Sequence, residues 1–150
     1  LGGEAYGGPA TPEKGARAVR DVLIRQGIAT DKLVLENGSG LSRIERVSAS
    51  LLNQLLRAAW RSPWFSEFES TLPVAALDGT LRTRFNGSPA TGYAHLKTRT
   101  LRDVNALAGI VLAAKGRRVA FVMLVNDTNA ARAGAAQQAL LEWTWADDAR

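Results

Sequence analysis

The sequence predicts an α/β fold in which a three-stranded antiparallel meander is packed with helices. Three observations predict it: two amphipathic helical stretches within the first 60 residues, three extended apolar runs between Tyr93 and Val125 parted by turn residues, and a last helical stretch after Asn129. Thr11 followed by Pro12 gives an N-cap with proline at the first helical position. Ala18, Val19, Val22 and Leu23 then recur on one face until Gly27, a helix of roughly four turns. Lys32 to Glu36 reads as a short strand that stops at Asn37-Gly38-Ser39-Gly40, where positive φ or close backbone approach is required.

Ser48 caps a second helix with Leu51, Leu52, Leu55, Leu56 and Ala59 as its apolar stripe, and Pro63 stops it. Trp60, Trp64, Phe65 and Phe68 follow, read as core packing beneath a helical corner in preference to a ligand platform. A helical turn is expected over Gly79 to Phe85, broken by Asn86-Gly87-Ser88-Pro89. Strands are expected over Tyr93 to Thr98, Ala106 to Ala113 and Val119 to Val125, with Lys115-Gly116 as a two-residue hairpin turn. The last strand, nearly all apolar, is expected to be buried on both faces or nearly so. The final helix should set Ala133, Ala136, Leu140 and Trp143 on one side, lying across the meander. With no internal repeat, low-complexity tract or linker, residues 1–150 read as a single module.

At 150 residues, 46% hydrophobic and 22% charged, the chain can bury a core. It opens on Leu1 with neither a basic n-region nor an apolar h-region, so it reads as a fragment or a processed chain. No apolar run approaches the roughly 20 residues that span a bilayer. Cysteine is absent, which excludes disulfides and thiolate metal sites, and a single histidine leaves no metal cluster. The net charge of +5 comes from scattered Lys and Arg without an aromatic ladder, so a solvated surface is preferred to nucleic-acid binding. Gly38-Ser39-Gly40 lacks the third glycine of a dinucleotide fingerprint, no phosphate loop occurs, and no cofactor is implied. His95 lacks the Gly-x-Ser-x-Gly elbow that a histidine-based hydrolase would use.

What remains is Lys97-Thr98-Arg99-Thr100 at the end of an expected strand. In lysine-assisted serine acyl-transferases a Lys-Thr-Gly strand lines the site beside Ser-x-x-Lys and Ser-x-Asn motifs. An ammonium and a hydroxyl there can bind a substrate carboxylate, while a backbone N–H further along meets the oxyanion. Glycine in the third place keeps the strand bare for edge pairing with a ligand.

The order of segments carries more weight than the Lys-Thr pair. Asn37-Gly38-Ser39-Gly40-Leu41-Ser42-Arg43, the capped helix, Leu77-Asp78-Gly79-Thr80-Leu81 with Arg84-Phe85, His95 to Leu101, Asn105 to Gly109 and Ala120 to Asn126 follow one another. Together they resemble the class C penicillin-binding proteins, the D-alanyl-D-alanine carboxypeptidase/endopeptidases of the bacterial periplasm. The resemblance implies the C-terminal part of a penicillin-binding-protein/serine-β-lactamase-like transpeptidase fold. It implies a catalytic Lys97, also setting the local potential, and a Thr100 whose backbone N–H serves the oxyanion hole. Thr98, with Lys97, would bind the terminal carboxylate of a D-Ala-D-Ala peptidoglycan peptide. Ser39 and Arg43 would belong to a scaffold loop. β-Lactams would be ligands of an active full-length protein, and the location would be periplasmic.

Two departures qualify this. Asn37 stands where the family usually has aspartate, and Arg99 stands where it has glycine. Arg99 would either block the substrate or swing aside as a second cation for its carboxylate, and the block is the reading preferred on steric grounds. Neither Ser-x-x-Lys nor Ser-x-Asn occurs in the 150 residues, so these residues alone form no acyl-enzyme. The alternative function is a non-catalytic relative that binds cell-wall peptide or a protein partner. A sheet edge left open by absent strands would pair with another chain or be rearranged.

Overall fold

The computed structural model describes residues 1–40 and 42–146. The chain divides into two compact units, Leu1–Ala58 and Ala59–Arg150, and the boundary falls near the end of one helix.

The first unit opens with α1 (Gly2–Tyr6), which four glycines in the first ten residues conceal from sequence reasoning. It forms because it has a partner: α1 lies so close on α2 (Pro12–Arg25) that a Cβ at Gly2 would stand 2.5 Å from the Gly15 nitrogen. The Tyr6 hydroxyl donates to the Asp21 carboxylate, and the Arg17 guanidinium sits 4.6 Å above the Tyr6 ring. The Asp21 hydrogen bond holds the Tyr6 phenol above its ordinary pKa. Helix α2 starts as expected, with the Thr11 hydroxyl accepting from the Lys14 N–H at 3.3 Å.

Leu23, Ile28, Leu33 and Leu51 form the buried cluster of this unit, with Val19, Leu35, Leu55 and Ala58 packed around it. Each buried side chain contributes roughly 1.5–3 kcal/mol. Val22, expected on the apolar face, is 48% exposed and lines the open cavity of this unit together with Ala18, Val19 and Leu23. The strand expected over Lys32 to Glu36 reduces to one bridge, Val34 with Arg46, each N–H donating to the other's carbonyl at 3.0 Å. The two glycines of the following loop take positive φ and end the pairing. Helix α3 (Ala49–Trp60) is capped by Ser48, whose hydroxyl accepts from the Leu51 N–H at 3.1 Å.

In the second unit the aromatic run after α3 corrects the expectation of core packing. Trp60 and Trp64 are 47% and 69% exposed. Trp60 meets Phe65 edge to face at 4.6 Å, and Arg118 lies 5.1 Å over Trp60 with Glu69 at 3.6 Å. The Arg118 cation covers the Trp60 and Phe65 rings, which takes the place of burial for these two. Helix α4 (Phe65–Ser70) follows, then a loop containing a 3-10 turn, Gly79–Leu81, shorter than the expected turn to Phe85.

The sheet is the expected meander, β1 (Ala94–Leu101), β2 (Val104–Leu112) and β3 (Arg118–Asn126), antiparallel in the order β1-β2-β3. The hairpin after β2 is not a two-residue turn. Ala113 N–H donates to the Arg117 carbonyl at 2.8 Å, so three residues close it, with Gly116 at φ 83 supplying the left-handed step. Nor is β3 buried on both faces: among its residues only Phe121 is fully buried, because β3 is an edge strand of the described sheet.

Helix α5 (Gly134–Ala146) follows a 3-10 turn, Ala130–Ala133, and its inward residues are Gln137, Leu141 and Thr144. The expected stripe is displaced by one residue, and Trp143 is 56% exposed. A polar glutamine in the core position hid the true face. The core consists of Leu81, Phe85, Leu96, Leu107, Phe121 and Leu141 with smaller residues between them.

One contact sets the height of β1 over β2. Leu96 pairs with Gly109, and a Cβ at Gly109 would lie 2.0 Å from the His95 carbonyl oxygen and 2.9 Å from the Leu96 Cα. Only glycine admits β1 here.

Candidate active site

Strand β1 carries Lys97, Thr98, Arg99 and Thr100, and the pleat divides them. Thr98 and Thr100 share the face of the buried Ala94 and Leu96, while Lys97 and Arg99 share the opposite face with His95. Their cross-strand partners are Ala108 for Lys97, Leu107 for Thr98, Ala106 for Arg99 and Asn105 for Thr100. The Lys97 and Thr98 side chains therefore do not converge from one face. Lys97 curls to the edge instead, its Nζ donating to the Thr98 carbonyl at 2.6 Å.

The same alternation assigns the backbone groups. Leu96 N–H donates outward to the Pro73 carbonyl at 2.8 Å, and the Ala94 carbonyl accepts from Ala75 N–H at 2.8 Å. These bonds run along the outer edge of β1, away from β2, so the backbone N–H and C=O of Thr98 and Thr100 also face that edge. Among the described residues Pro73 is the last backbone partner on this edge, so the backbone groups of Thr98 and Thr100, where the sequence places the carboxylate and oxyanion positions, have no backbone partner there. The backbone of Arg99 faces β2. Its half-buried side chain stands on the Lys97 face rather than in the plane of the edge.

Sequence reasoning gave Thr80 no role, yet its Oγ1 lies 2.9 Å from the Thr98 Oγ1. The turn that holds it is tightly built. Val74 N–H donates to the Asp78 carboxylate at 2.6 Å, Ala76 N–H donates to the Leu81 carbonyl at 3.2 Å, and Ala76 adopts φ 62 without being glycine. Leu81, next to Thr80, is fully buried and anchors the turn. The signal available in the sequence was Asp78-Gly79-Thr80 standing in one of the ordered segments.

Behind Thr100 runs a buried polar chain. Arg84 Nη2 donates to Gln137 Oε1 at 2.5 Å, Gln137 Nε2 donates to Asn105 Oδ1 at 3.1 Å, and Asn105 Nδ2 donates to the Ala130 carbonyl at 3.2 Å. Gln137 is fully buried, and Asn105 is the cross-strand partner of Thr100. Burial lowers the pKa of the Arg84 guanidinium from its ordinary value.

His95 presents a buried Nδ1 with no hydrogen-bond partner among the described residues. Among those residues no group of three or more His, Asp or Glu gathers as a metal site. In the first unit, Ser39 N–H donates to Asn37 Oδ1 at 3.0 Å and Gly38 N–H to Glu45 Oε1 at 3.2 Å, which shapes the loop read as scaffold. Leu41 of that loop lies outside the described residues. A cavity of about 900 Å³ opens in the first unit among Val19, Leu23, Leu33, Leu51 and Leu55 and holds none of the four β1 residues.

The family described as "D-Ala-D-Ala carboxypeptidase 3 (S13) family" matches residues 2–146 of the chain. The chain is 35% identical over 143 residues to a D-alanyl-D-alanine carboxypeptidase of Actinomadura sp., covering 92% of this chain and 26% of that protein. It is 33% identical over 123 residues to the D-alanyl-D-alanine carboxypeptidase DacB of Haemophilus influenzae, covering 81% of this chain and 26% of that protein. The crystal structure of penicillin binding protein 4 from Haemophilus influenzae, complexed with a β-lactam, superposes with a TM-score of 0.87 at 28% identity. It covers 97% of this chain and 36% of that one. The chain thus spans about a quarter of the length of these curated relatives.

Proposed function

Because the chain belongs to the D-Ala-D-Ala carboxypeptidase 3 (S13) family and has the fold of a portion of a penicillin-binding protein, we propose that it forms the substrate-binding wall of a serine-type D-Ala-D-Ala carboxypeptidase/endopeptidase. The full-length protein would act on peptidoglycan stem peptides in the periplasm and be acylated by β-lactams. The observation that carries this reading is the outer edge of β1, paired with Pro73 and Ala75 up to Leu96 and, among the described residues, without a backbone partner at Thr98 and Thr100.

In this reading the peptide lies along that edge as an added strand. Its terminal carboxylate is bound by the Thr98 hydroxyl and by Lys97, whose ammonium already reaches the edge at the Thr98 carbonyl. The Thr100 N–H, facing the same edge, donates to the oxyanion as the tetrahedral intermediate forms. The serine that attacks, expelling the terminal D-alanine as the acyl-enzyme forms and freeing the shortened peptide when water hydrolyses the ester, comes from outside these 150 residues, which contain no Ser-x-x-Lys.

Arg99 supports a second reading, a non-catalytic module that binds cell-wall peptide or a protein partner. Its side chain shares the Lys97 face, so a long cation stands where the family's glycine leaves that face bare. One experiment separates the two: covalent labelling of the full-length protein by a penicillin reporter, repeated after Arg99→Gly. Efficient labelling of the parent is expected under the enzymatic reading. Labelling by the glycine variant alone would identify Arg99 as the block and favour the non-catalytic reading.

A further inference from the structure

Resting on the reading above, we propose that Thr80 is a positioning residue that sets the direction of the Thr98 hydroxyl and so selects a carboxylate-bearing ligand. A hydroxyl has one proton and two lone pairs. In the pair Thr80 Oγ1···Thr98 Oγ1, at 2.9 Å, only one of the two protons lies between the oxygens. If Thr98 donates, its proton is consumed and it turns lone pairs toward a ligand, which repels an anion. If Thr80 donates, the Thr98 proton is free for a carboxylate, and the incoming bond polarises that O–H further. An anionic ligand therefore selects the order Thr80 to Thr98 to carboxylate, whereas a neutral ligand gains nothing from it.

The surroundings of Thr80 fit a hydroxyl held for a purpose outside the core. Its side chain is exposed and contributes nothing to the apolar cluster, yet its backbone is fixed from both sides. Leu81 is buried, Asp78 ties back to Val74 N–H, and the left-handed Ala76 closes the loop through Leu81. Positive φ at a non-glycine residue costs about 1–2 kcal/mol and persists only when the surroundings enforce it. Thr80 and Thr98 stand 18 residues apart in the chain, and this turn brings their hydroxyls together.

The test uses full-length protein carrying Thr80→Val, which keeps the shape and removes the hydroxyl, and Thr80→Ser, which restores it. Acylation is followed with a penicillin reporter and with its methyl ester, which lacks the carboxylate. For the acid, Thr80→Val should weaken the apparent affinity about 3- to 10-fold with the limiting acylation rate unchanged. The ester should react with Thr80→Val as it does with the parent, and Thr80→Ser should recover the acid's affinity. An equal loss for acid and ester, a loss confined to the limiting rate, or no rescue by serine would overturn the proposal and leave Thr80 a part of the loop's fold. If the parent reacts with neither probe, the enzymatic reading itself fails and this inference falls with it.

Discussion

Gly109→Ala tests whether β1 owes its position to a missing side chain. The added Cβ would stand 2.0 Å from the His95 oxygen, and real Cβ atoms essentially never come closer than 3.0 Å, so β1 has to retreat by at least about 1 Å. The obstacle is backbone on both sides, so no rotamer change relieves it. Overpacking of this kind costs roughly 1–3 kcal/mol, and a chain of this size loses about 2–4 °C in Tm per kcal/mol. A fall of about 2–12 °C is expected in a thermal melt followed by circular dichroism. Leu96, the displaced residue, precedes Lys97, and a displacement of about 1 Å at a reacting centre costs on the order of 100-fold in rate. Penicillin labelling of the full-length variant should slow accordingly. Gly15→Ala is the control, since its Cβ would meet no heavy atom within 4 Å. If Gly109→Ala melts with the parent and labels at the parental rate, the close approach does not hold the wall in place and the reasoning fails.

Three further outcomes are expected. Gln137→Leu strands the partners of a fully buried amide, Arg84 on one side and Asn105 on the other, and should lower stability by about 3 kcal/mol in urea unfolding. Ala76→Gly removes a left-handed alanine at φ 62 and, after the greater freedom of glycine in the unfolded chain is counted, should stabilise by up to about 1 kcal/mol in the same assay. The Glu13 carboxylate accepts hydrogen bonds from its own N–H and from Thr11, which hold its pKa below the ordinary value. Its contribution is therefore present above the unfolded-state pKa and lost as pH falls through the folded one. Thr11→Ala should raise the Glu13 pKa in a carbon-detected NMR titration and remove a helix cap worth about 1 kcal/mol.

Features written in adjacent residues were legible in the sequence. Thr11 and Ser48 cap their helices because a cap needs only a hydroxyl within reach of an N–H three residues on. The meander was legible because apolar runs were parted by turn residues. Features that depend on a distant partner were not. Helix α1 stands on the packing of Gly2 against Gly15, which composition conceals. The inward face of α5 runs through Gln137, and a hydrophobic pattern passes over a glutamine whose burial is made acceptable by Arg84 and Asn105. Trp60 and Phe65 looked like core because the Arg118 that covers them lies more than fifty residues away. In the candidate site the identity of Lys97, Thr98 and Thr100 was legible. The partition of their side chains and the meeting of Thr98 with Thr80 were not, since both follow from pleat and register.

The strand order β1-β2-β3 has a consequence in time. Each strand pairs with its neighbour in sequence, across Arg102-Asp103 and then Ala113 to Arg117. Closing such short loops costs little entropy, and a hairpin forms in about 1–10 μs. The strand bearing Lys97 and Thr98 can therefore reach its final register while more distant segments are still unplaced, and whatever docks on its outer edge meets a surface already set.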